Sequence, residues 1–195
     1  MRVAVLVSGG GTNLQALIDA LGGAPTAPAR ISRVISNRPD AGALERARRA
    51  GIPTTVLRDP QDPAELLAAI GDAQLVVLAG YLKLVPGAVV ARFRQRMVNI
   101  HPALLPDFGG PGMYGRRVHE AVLASRATES GATVHYVDEH YDRGPIVAQR
   151  RVPVRSDDTA DTLAQRVLAA EHALLPEVLL SLAQRIQQET IDESG

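Results

Sequence analysis

The stretch "RVAVLVSGGGTNLQAL", residues Arg2–Leu17, decides the fold class of this chain. It begins with an apolar run of the kind that forms a strand buried on both faces of a parallel sheet. Three glycines follow, and a segment with apolar residues at helical spacing then begins near Thr12. A strand, a glycine turn and a helix in direct succession predict the first half of a βαβ unit.

The same alternation continues outward from this stretch. Further short runs rich in Val, Ile and Leu, separated by helix-length segments, are Ser32–Ser36, Thr54–Leu57, Gln74–Ala79 and Met97–Ile100. Two later runs alternate and lie close together, with a turn signal at Gly144-Pro145 between them: Ala132–Asp138 and Ile146–Val154. The later pair predicts an antiparallel addition at the sheet edge.

These patterns predict an α/β fold with an open, mostly parallel, twisted Rossmann-like sheet flanked by helices. Antiparallel strands are added toward the C-terminal half, and a long C-terminal helix follows, for which residues Ser156 to Asp158 offer caps and in which Pro176 should introduce a kink. We expect one domain at residues 1–187 and a frayed tail at residues 188–195.

Composition excludes several classes of function. Lys plus Arg and Asp plus Glu both number 21 among 195 residues, so no nucleic-acid or anionic membrane partner is indicated. The chain has no cysteine, which excludes disulfides and thiolate zinc sites. Its first residues, "MRVAVLVSGGG", are too short for a spanning helix and lack a signal-peptide cleavage site. The prediction is a cytoplasmic protein, and no metal is expected because no His/Asp/Glu set has ligand spacing on one helix.

The glycine loop is a candidate anion site. Glycines allow close approach of the backbone, and the N-terminus of the following helix offers unpaired N–H groups. A dinucleotide fingerprint would need a third glycine where Leu14 stands and an acid where Asn37 and Arg38 stand, and the Gly-Lys-Ser/Thr of a P-loop is absent. The loop therefore favours a lone phosphate over a dinucleotide, the alternative being a tight turn without a ligand.

The run "MVNIHP" ends a predicted strand with two polar residues. Val98 and Ile100 point to one face, whereas Asn99 and His101 point to the other. Pro102 ends the strand, which places His101 at the carboxyl end where open α/β sheets bind ligands. An amide donor beside an imidazole can stabilise an oxyanion and move a proton. The alternative is a core histidine followed by a turn.

Other polar positions could complete a site. Asp142 could hold His101 and raise its pKa, or it could simply form a turn. Glu171 interrupts an apolar helical stripe and needs a partner, either a pair of sugar hydroxyls or an arginine. His135 is interpreted as a half-buried strand residue, and two further histidines are assigned to the surface or to loops: His119 and His140.

A glycine-rich segment, "PDFGGPGMYGRR" at Pro106–Arg117, directly follows the Asn–His stretch. Such a segment can close over a site and exclude water, or it can be a plain surface connection.

Several motifs together resemble one enzyme family. They are "VSGGGTNLQALI", "SNRPDAGALERARRAGIP", "LAGYLKLV", "NIHPALLP", "GATVHYVDEHYDRGPIVAQ" and "AEHALLP". In this order they span nearly the whole chain and are similar to the phosphoribosylglycinamide formyltransferases, the GAR transformylases of purine biosynthesis. "NIHPALLP" with "DRGPIVAQ" is shared by the wider folate-dependent formyltransferase superfamily, and the glycine loop with "AEHALLP" narrows the resemblance.

The resemblance implies roles residue by residue. The catalytic residues would be Asn99, His101 and Asp142. The residues that bind glycinamide ribonucleotide would be Gly11, Thr12, Asn13, Leu168, Ala169, Ala170 and Glu171. The residues that bind the folate would be Leu82, Lys83, Leu84, Val85, Asn99, Asp138, Glu139, His140, Tyr141 and Asp142.

The implied reaction is direct formyl transfer from 10-formyltetrahydrofolate to the amino group of the ribonucleotide, through a tetrahedral intermediate and without a metal. The partners would be these small molecules, and the protein would be a monomer or a homodimer. The chain departs from the family at Leu82-Lys83, where Met-Arg is common, and Arg58 is the nearest candidate for an arginine that often contacts the folate.

Three other functions remain open at this point. A tRNA-formylating enzyme should carry a further basic domain, and a formyltetrahydrofolate hydrolase should carry an N-terminal regulatory domain. A nucleotide-binding module without catalysis could be built on the glycine loop alone.

Overall fold

The computed structural model describes residues 1–22 and 27–192, and helices and strands alternate through most of this part. The strands are β1 Arg2–Val7, β2 Arg30–Ser36, β3 Thr54–Val56, β4 Leu75–Leu78, β5 Met97–His101, β6 Glu129–Tyr136 and β7 Ile146–Pro153. The helices are α1 Thr12–Gly22, α2 Gly42–Arg49, α3 Pro63–Ile70, α4 Gly87–Arg92, α5 Arg116–Ala124 and α6 Ala160–Asp192. Every strand expected from the sequence is present, within three residues at its ends.

The seven strands form one sheet in the order β3-β2-β1-β4-β5-β6-β7. The pairs from β3 to β5 are parallel, whereas β5–β6 and β6–β7 are antiparallel. The predicted mostly parallel sheet with an antiparallel addition is therefore confirmed. Chain order reverses between β1 and β4, and ligands of open α/β sheets bind at the carboxyl ends of strands beside such a reversal.

Helices cover both faces of the sheet. On one face, α1 and α6 bury Leu14, Leu17, Leu175 and Leu179 against the inward side chains of the central strands. On the other face, α3 and α4 pack in the same way against β1 and β4. The central strands are apolar on both faces because each face meets a helical layer, which explains their continuous Val and Ile runs.

Local signals in the sequence set several helix starts. Asp62 caps α3 by accepting a hydrogen bond from the N–H of Ala64 at 2.9 Å, and Pro63 occupies the first helical turn, where its missing N–H costs nothing. Helix α1 starts directly after Gly11, whose φ of +76° belongs to the left-handed region. A side chain on Gly11 would lie 2.6 Å from Cβ of Ala43, so the close packing of the glycine loop on α2 requires glycine.

The long helix α6 includes Pro176 and continues five residues beyond the domain limit of 187 expected from the sequence. The extent of the domain stays a prediction, and residues 193–195 of the expected tail lie outside the described residues. Residues Ala160–Glu189 are long and apolar enough to cross a membrane by length and hydropathy alone. However, 56% of the most apolar 18-residue segment of this helix is buried against the rest of the protein, as in a core helix.

Candidate functional site

A cavity of about 340 Å³ opens at the carboxyl ends of β4 and β5. Its volume is within the usual range for a small-molecule site. One end reaches Asn13 and Glu171, and the other reaches the segment that follows β4. The side chains with carboxyl, imidazole, amide or ammonium groups on its wall are Asn13, Lys83, Asn99, His101, His135, Asp138, His140, Asp142 and Glu171. The cavity thus brings together most residues singled out from the sequence.

The glycine loop forms one end of this cavity. Asn13, in the first turn of α1, lines the cavity, and its Nδ2 donates to Oε1 of Glu171 at 3.3 Å. Its Oδ1 is buried and has no hydrogen-bond partner among the described residues. Thr12 instead lines a neighbouring cleft between α1 and α6. The loop is held from outside by Arg46, whose Nε donates to the carbonyl of Gly10 at 2.8 Å.

Glu171 is buried, with 7% of its surface exposed, and it forms no ion pair within the described residues. The arginine partner considered from the sequence is therefore not found there. Burial raises the pKa of Glu171 to about 7, and the hydrogen bond from Asn13 lowers it only in part. A buried carboxyl group with one weak partner can accept further hydrogen bonds from a ligand.

Strand geometry sets the central part of the site. Asn99 and His101 lie two residues apart on β5 and both line the cavity, whereas Val98 packs into the core. The period-two assignment of these faces is confirmed. The antiparallel neighbour β6 places His135 directly opposite Asn99.

Asp142 connects these side chains. Its Oδ2 lies 3.5 Å from Nδ1 of His101, and its Oδ1 lies 3.4 Å from Nδ2 of Asn99 and 3.5 Å from Nε2 of His135. Oδ2 also accepts from the N–H of Gly110 at 2.9 Å. Asp142 has a left-handed φ of +55°, a backbone conformation that is uncommon outside glycine. The structure brings the three predicted catalytic residues together in one cluster.

The electrostatics of the cluster differ from the expectation in one respect. Burial lowers the pKa of His101, and the nearby Asp142 carboxylate and the carbonyl of Phe108, 2.9 Å from Nε2, raise it only in part. The expectation that Asp142 acts to raise the pKa of His101 is confirmed, but burial outweighs the carboxylate and the net shift of the pKa is downward. Burial acts to raise the pKa of Asp142 itself, but the proximity of the His135 and His101 rings and the hydrogen bond from the N–H of Gly110 bring it below its usual value.

Two histidines are placed differently from their sequence interpretation. His135 is 2% exposed, and its ring contacts both Asn99 and Asp142, so it belongs to the polar cluster. The signal that assigns His135 to this cluster is its position opposite Asn99, which depends on the register between β5 and β6. His119 is buried in α5 at 5% exposure, so its assignment to the surface or a loop is wrong; its neighbours Val118 and Val122 share the buried face. His140 is exposed and lies on the cavity rim.

The segment after β4 forms the other end of the cavity, and all four residues from Leu82 to Val85 line it. The backbone N–H of Leu82 donates to Oγ of Ser8 at 2.9 Å, and Ser8 donates to Oδ1 of Asn37 at 2.6 Å. The buried hydroxyl of Ser8 thus joins the ends of β1, β2 and β4.

Some residues implied by the resemblance do not line the cavity. On the ribonucleotide side these are Gly11, Thr12, Leu168, Ala169 and Ala170, of which Ala170 packs into the core. On the folate side, Glu139 does not line it, and its carboxylate approaches Gly87 instead. Arg58 extends into solvent with 93% of its side chain exposed and lies near Glu65, away from the cavity.

The glycine-rich segment Pro106–Arg117 lies over the site. Residues 110–115 line the cavity, and the carbonyl of Phe108 and the N–H of Gly110 contact His101 and Asp142. The segment is therefore more than a surface connection. Within the described residues, no group of three or more His, Asp or Glu side chains could hold a metal ion.

Comparison with known proteins agrees with this geometry. Residues 1–179 match the family model described as formyl transferase. The chloroplastic phosphoribosylglycinamide formyltransferase of Vigna unguiculata is 42% identical over 94% of this chain, which spans 61% of that relative's length. The phosphoribosylglycinamide formyltransferase of Anaplasma phagocytophilum superposes with a TM-score of 0.85 at 39% identity, covering 94% of this chain and 87% of that one.

The structure of glycinamide ribonucleotide transformylase 1 from Symbiobacterium toebii is similar as well. It superposes with a TM-score of 0.84 at 42% identity, and the match covers 94% of this chain and 88% of that one. The part of the chain that matches the family model contains all seven strands and every residue that lines the cavity. The chain belongs to the formyl transferase family.

Proposed function

We propose that this protein transfers the formyl group of 10-formyltetrahydrofolate to the amino group of glycinamide ribonucleotide, which yields formylglycinamide ribonucleotide and tetrahydrofolate in purine biosynthesis. The observation that carries the proposal is the continuity of the cavity. Asn13 and Glu171 lie at one end, Leu82–Val85 lie at the other, and the cluster around Asp142 lies between them. Two small molecules that enter from the two ends would meet at this cluster.

The ribonucleotide occupies the end formed by the glycine loop. Its phosphate binds at the N-terminus of α1, where residues Gly11–Asn13 offer backbone N–H groups and a favourable helix dipole. Its ribose hydroxyls donate to Glu171, which has capacity for more than the single hydrogen bond from Asn13. Residues Leu168–Ala170 contribute by setting the position of Glu171 on α6 rather than by direct contact.

The formyl-folate occupies the other end. Its pterin ring lies between Leu82–Val85 and the loop Asp138–Asp142, where backbone groups read the polar edge of the ring. Leu82 and Tyr141 are exposed apolar side chains at this end, and a flat apolar ligand would cover them. Glu139 can take part only through its backbone, since its side chain faces Gly87.

The chemistry follows from the cluster between the two ends. The amino nitrogen attacks the formyl carbon, and the carbonyl electrons move to oxygen, where Asn99 donates a hydrogen bond to the oxyanion. The attacking nitrogen loses a proton to the pair His101–Asp142, and the imidazolium formed at Nδ1 faces both the carboxylate and the reaction centre. The oxyanion then re-forms the carbonyl, the bond to the folate nitrogen breaks, and that nitrogen receives the proton.

A largely neutral His101 suits this sequence of steps. A ring whose pKa is lowered by burial is free to accept the proton that the amine must lose, and Asp142 stabilises the resulting positive charge. An oxyanion donor contributes about 3–4 kcal/mol to barrier lowering, and alignment of two bound substrates contributes roughly 7–11 kcal/mol. Neither contribution requires an enzyme nucleophile.

An absorbance assay for tetrahydrofolate release, run with and without glycinamide ribonucleotide, tests the proposal. Release only in the presence of the ribonucleotide means transfer, whereas release without it means hydrolysis and would overturn the proposal. Titration with NAD(P) and with glycinamide ribonucleotide tests the alternative of a nucleotide-binding module without catalysis. Tight binding of NAD(P) without binding of the ribonucleotide would favour that module. The cytoplasmic location, the monomeric or homodimeric state and the absence of a metal stay predictions.

A further inference from the structure

The two ring nitrogens of His135 have different partners. Nδ1 lies 2.8 Å from the carbonyl oxygen of Tyr136, and a carbonyl can only accept a hydrogen bond. Nδ1 must therefore carry a proton. In the neutral ring this leaves a lone pair on Nε2, which lies 3.0 Å from Nδ2 of Asn99.

The partner of this lone pair determines how the amide of Asn99 is oriented. Nε2 accepts from the NH₂ group of Asn99, so the amide cannot present its oxygen to His135 without facing two acceptors to each other. The second hydrogen of the NH₂ group points toward Oδ1 of Asp142 at 3.4 Å, a distance that is long for a hydrogen bond. This second hydrogen is thus weakly held and lies in the centre of the cluster.

We propose that His135 is a positioning residue, whose neutral Nδ1–H tautomer holds the amide of Asn99 so that an N–H and not the carbonyl oxygen points to the reaction centre. The inference rests on the proposed function, since it assigns Asn99 as the oxyanion donor. In the tetrahedral intermediate, the second hydrogen moves from its long contact with Asp142 to the oxyanion.

The carboxylate of Asp142 also faces the ring of His135, with its Oδ1 3.5 Å from Nε2, and Glu171 lines the same cavity. Nε2 lies closer to Nδ2 of Asn99, at 3.0 Å, than to the carboxylate of Asp142. The amide is therefore the nearer partner of the lone pair.

Nuclear magnetic resonance of protein labelled with ¹⁵N-histidine measures the tautomer directly. The chain has five histidines, and the His135→Gln variant identifies the signal of His135 by its loss. In the neutral ring of His135, we expect Nδ1 to carry the proton and Nε2 to carry none. A neutral ring that carries its proton on Nε2 would overturn the inference. This measurement requires neither substrate nor activity, so its failure is distinct from that of the proposed function.

Two variants test the role of the acceptor. His135→Leu removes it, and we expect kcat to fall about 100-fold, as for loss of an oxyanion donor, with the KM for the ribonucleotide changed less than about threefold. His135→Gln can place an amide oxygen near Nδ2 of Asn99, and we expect its kcat to be at least about tenfold higher than that of His135→Leu. Equal kcat values in the two folded variants would contradict the positioning role, and the tautomer measurement on the unaltered protein decides if either variant fails to fold.

Discussion

At the scale of single residues, Asp142 links the parts of the site. One carboxylate contacts two histidine rings, an amide and the backbone of the segment that covers the cavity. Each contact is modest, but together they place Asn99 and His101 on either side of a shared negative charge. Because Asp142 has a left-handed backbone conformation, its position costs local strain that the surrounding contacts must offset.

Replacing His101 by alanine should separate chemistry from binding. In the proposed mechanism the ring takes up the proton of the amine, and its nitrogens contact Asp142 and Phe108 rather than the glycine loop. We therefore expect turnover to fall about 100-fold or more while ribonucleotide affinity stays near normal. Steady-state assays and calorimetric titration measure the two quantities, and thermal unfolding checks that the variant is folded. Turnover near that of the unaltered enzyme would remove His101 from the mechanism.

Glu171 should make stability depend on pH in an unusual direction. Its folded-state pKa of about 7 lies above the ordinary value of 4.5, so the folded state binds the proton more tightly than the unfolded state. The free energy of unfolding should therefore fall as pH rises from 4.5 to 7, by roughly 3 kcal/mol for a shift of this size. Relative to the unaltered protein, Glu171→Gln should remove this loss, as urea unfolding at several pH values would measure.

The same Glu171→Gln variant should bind the ribonucleotide about tenfold or more weakly, since an amide replaces a carboxylate that accepts from hydroxyls.

The contrary result for stability would be a parallel loss in the unaltered protein and in Glu171→Gln as pH rises from 4.5 to about 7. That result would show that a group other than Glu171 is responsible for the pH dependence of stability.

At the scale of elements, strands β5 and β6 show what sequence can and cannot predict. Alternation along β5 is local, so the faces of Asn99 and His101 could be predicted from five residues. The role of His135 could not, because it depends on the register that sets it opposite Asn99 across 36 positions of chain. The sequence also does not indicate the buried position of His119, because that residue lies in the short helix α5, which directly follows the glycine-rich segment.

The turn between β1 and α1 offers a matched pair of glycine substitutions. Gly11→Ala would combine a left-handed φ with a clash against the backbone of Ala43, and we expect it to cost about 2–4 kcal/mol of stability and to weaken ribonucleotide binding. Gly10→Ala meets nothing within 4 Å and should change stability by less than about 0.5 kcal/mol. Urea unfolding and calorimetry measure both effects, and similar losses in the two variants would argue against the packing of the loop on α2.

At the scale of the whole molecule, the sheet order and the placement of α6 bring distant segments together. The general α/β architecture could be predicted from the repeated strand–helix pattern, and the antiparallel addition from the change of pattern after Ala132. The cavity could not be predicted from local patterns, because its two ends are joined by contacts such as the hydrogen bond between Asn13 and Glu171, 158 positions apart. The resemblance to a known family does pair Asn13 with Glu171, because it implies that both bind the same ribonucleotide.

The packing of α6 on the sheet should control global stability rather than activity. Leu179 is fully buried between α6 and the core and does not line the cavity. Leu179→Ala should cost about 2–5 kcal/mol in unfolding free energy with kcat and KM unchanged, because the site itself is untouched. Leu180, which is only partly buried, provides the control, and we expect Leu180→Ala to lose less than half as much. A reduced kcat in folded Leu179→Ala would show that the helix transmits strain to the cluster.

The hydroxyl of Ser8 has a mechanical consequence for the proposed reaction of two substrates. It accepts from Leu82 and donates to Asn37, and it directly precedes the glycine loop, so one buried hydroxyl connects the glycine loop to the segment after β4. The spacing between these two walls is therefore fixed just past the ends of β1, β2 and β4. In the proposed reaction, two ligands bound against these walls would arrive already aligned, and the amine and the formyl carbon would meet without a domain having to move.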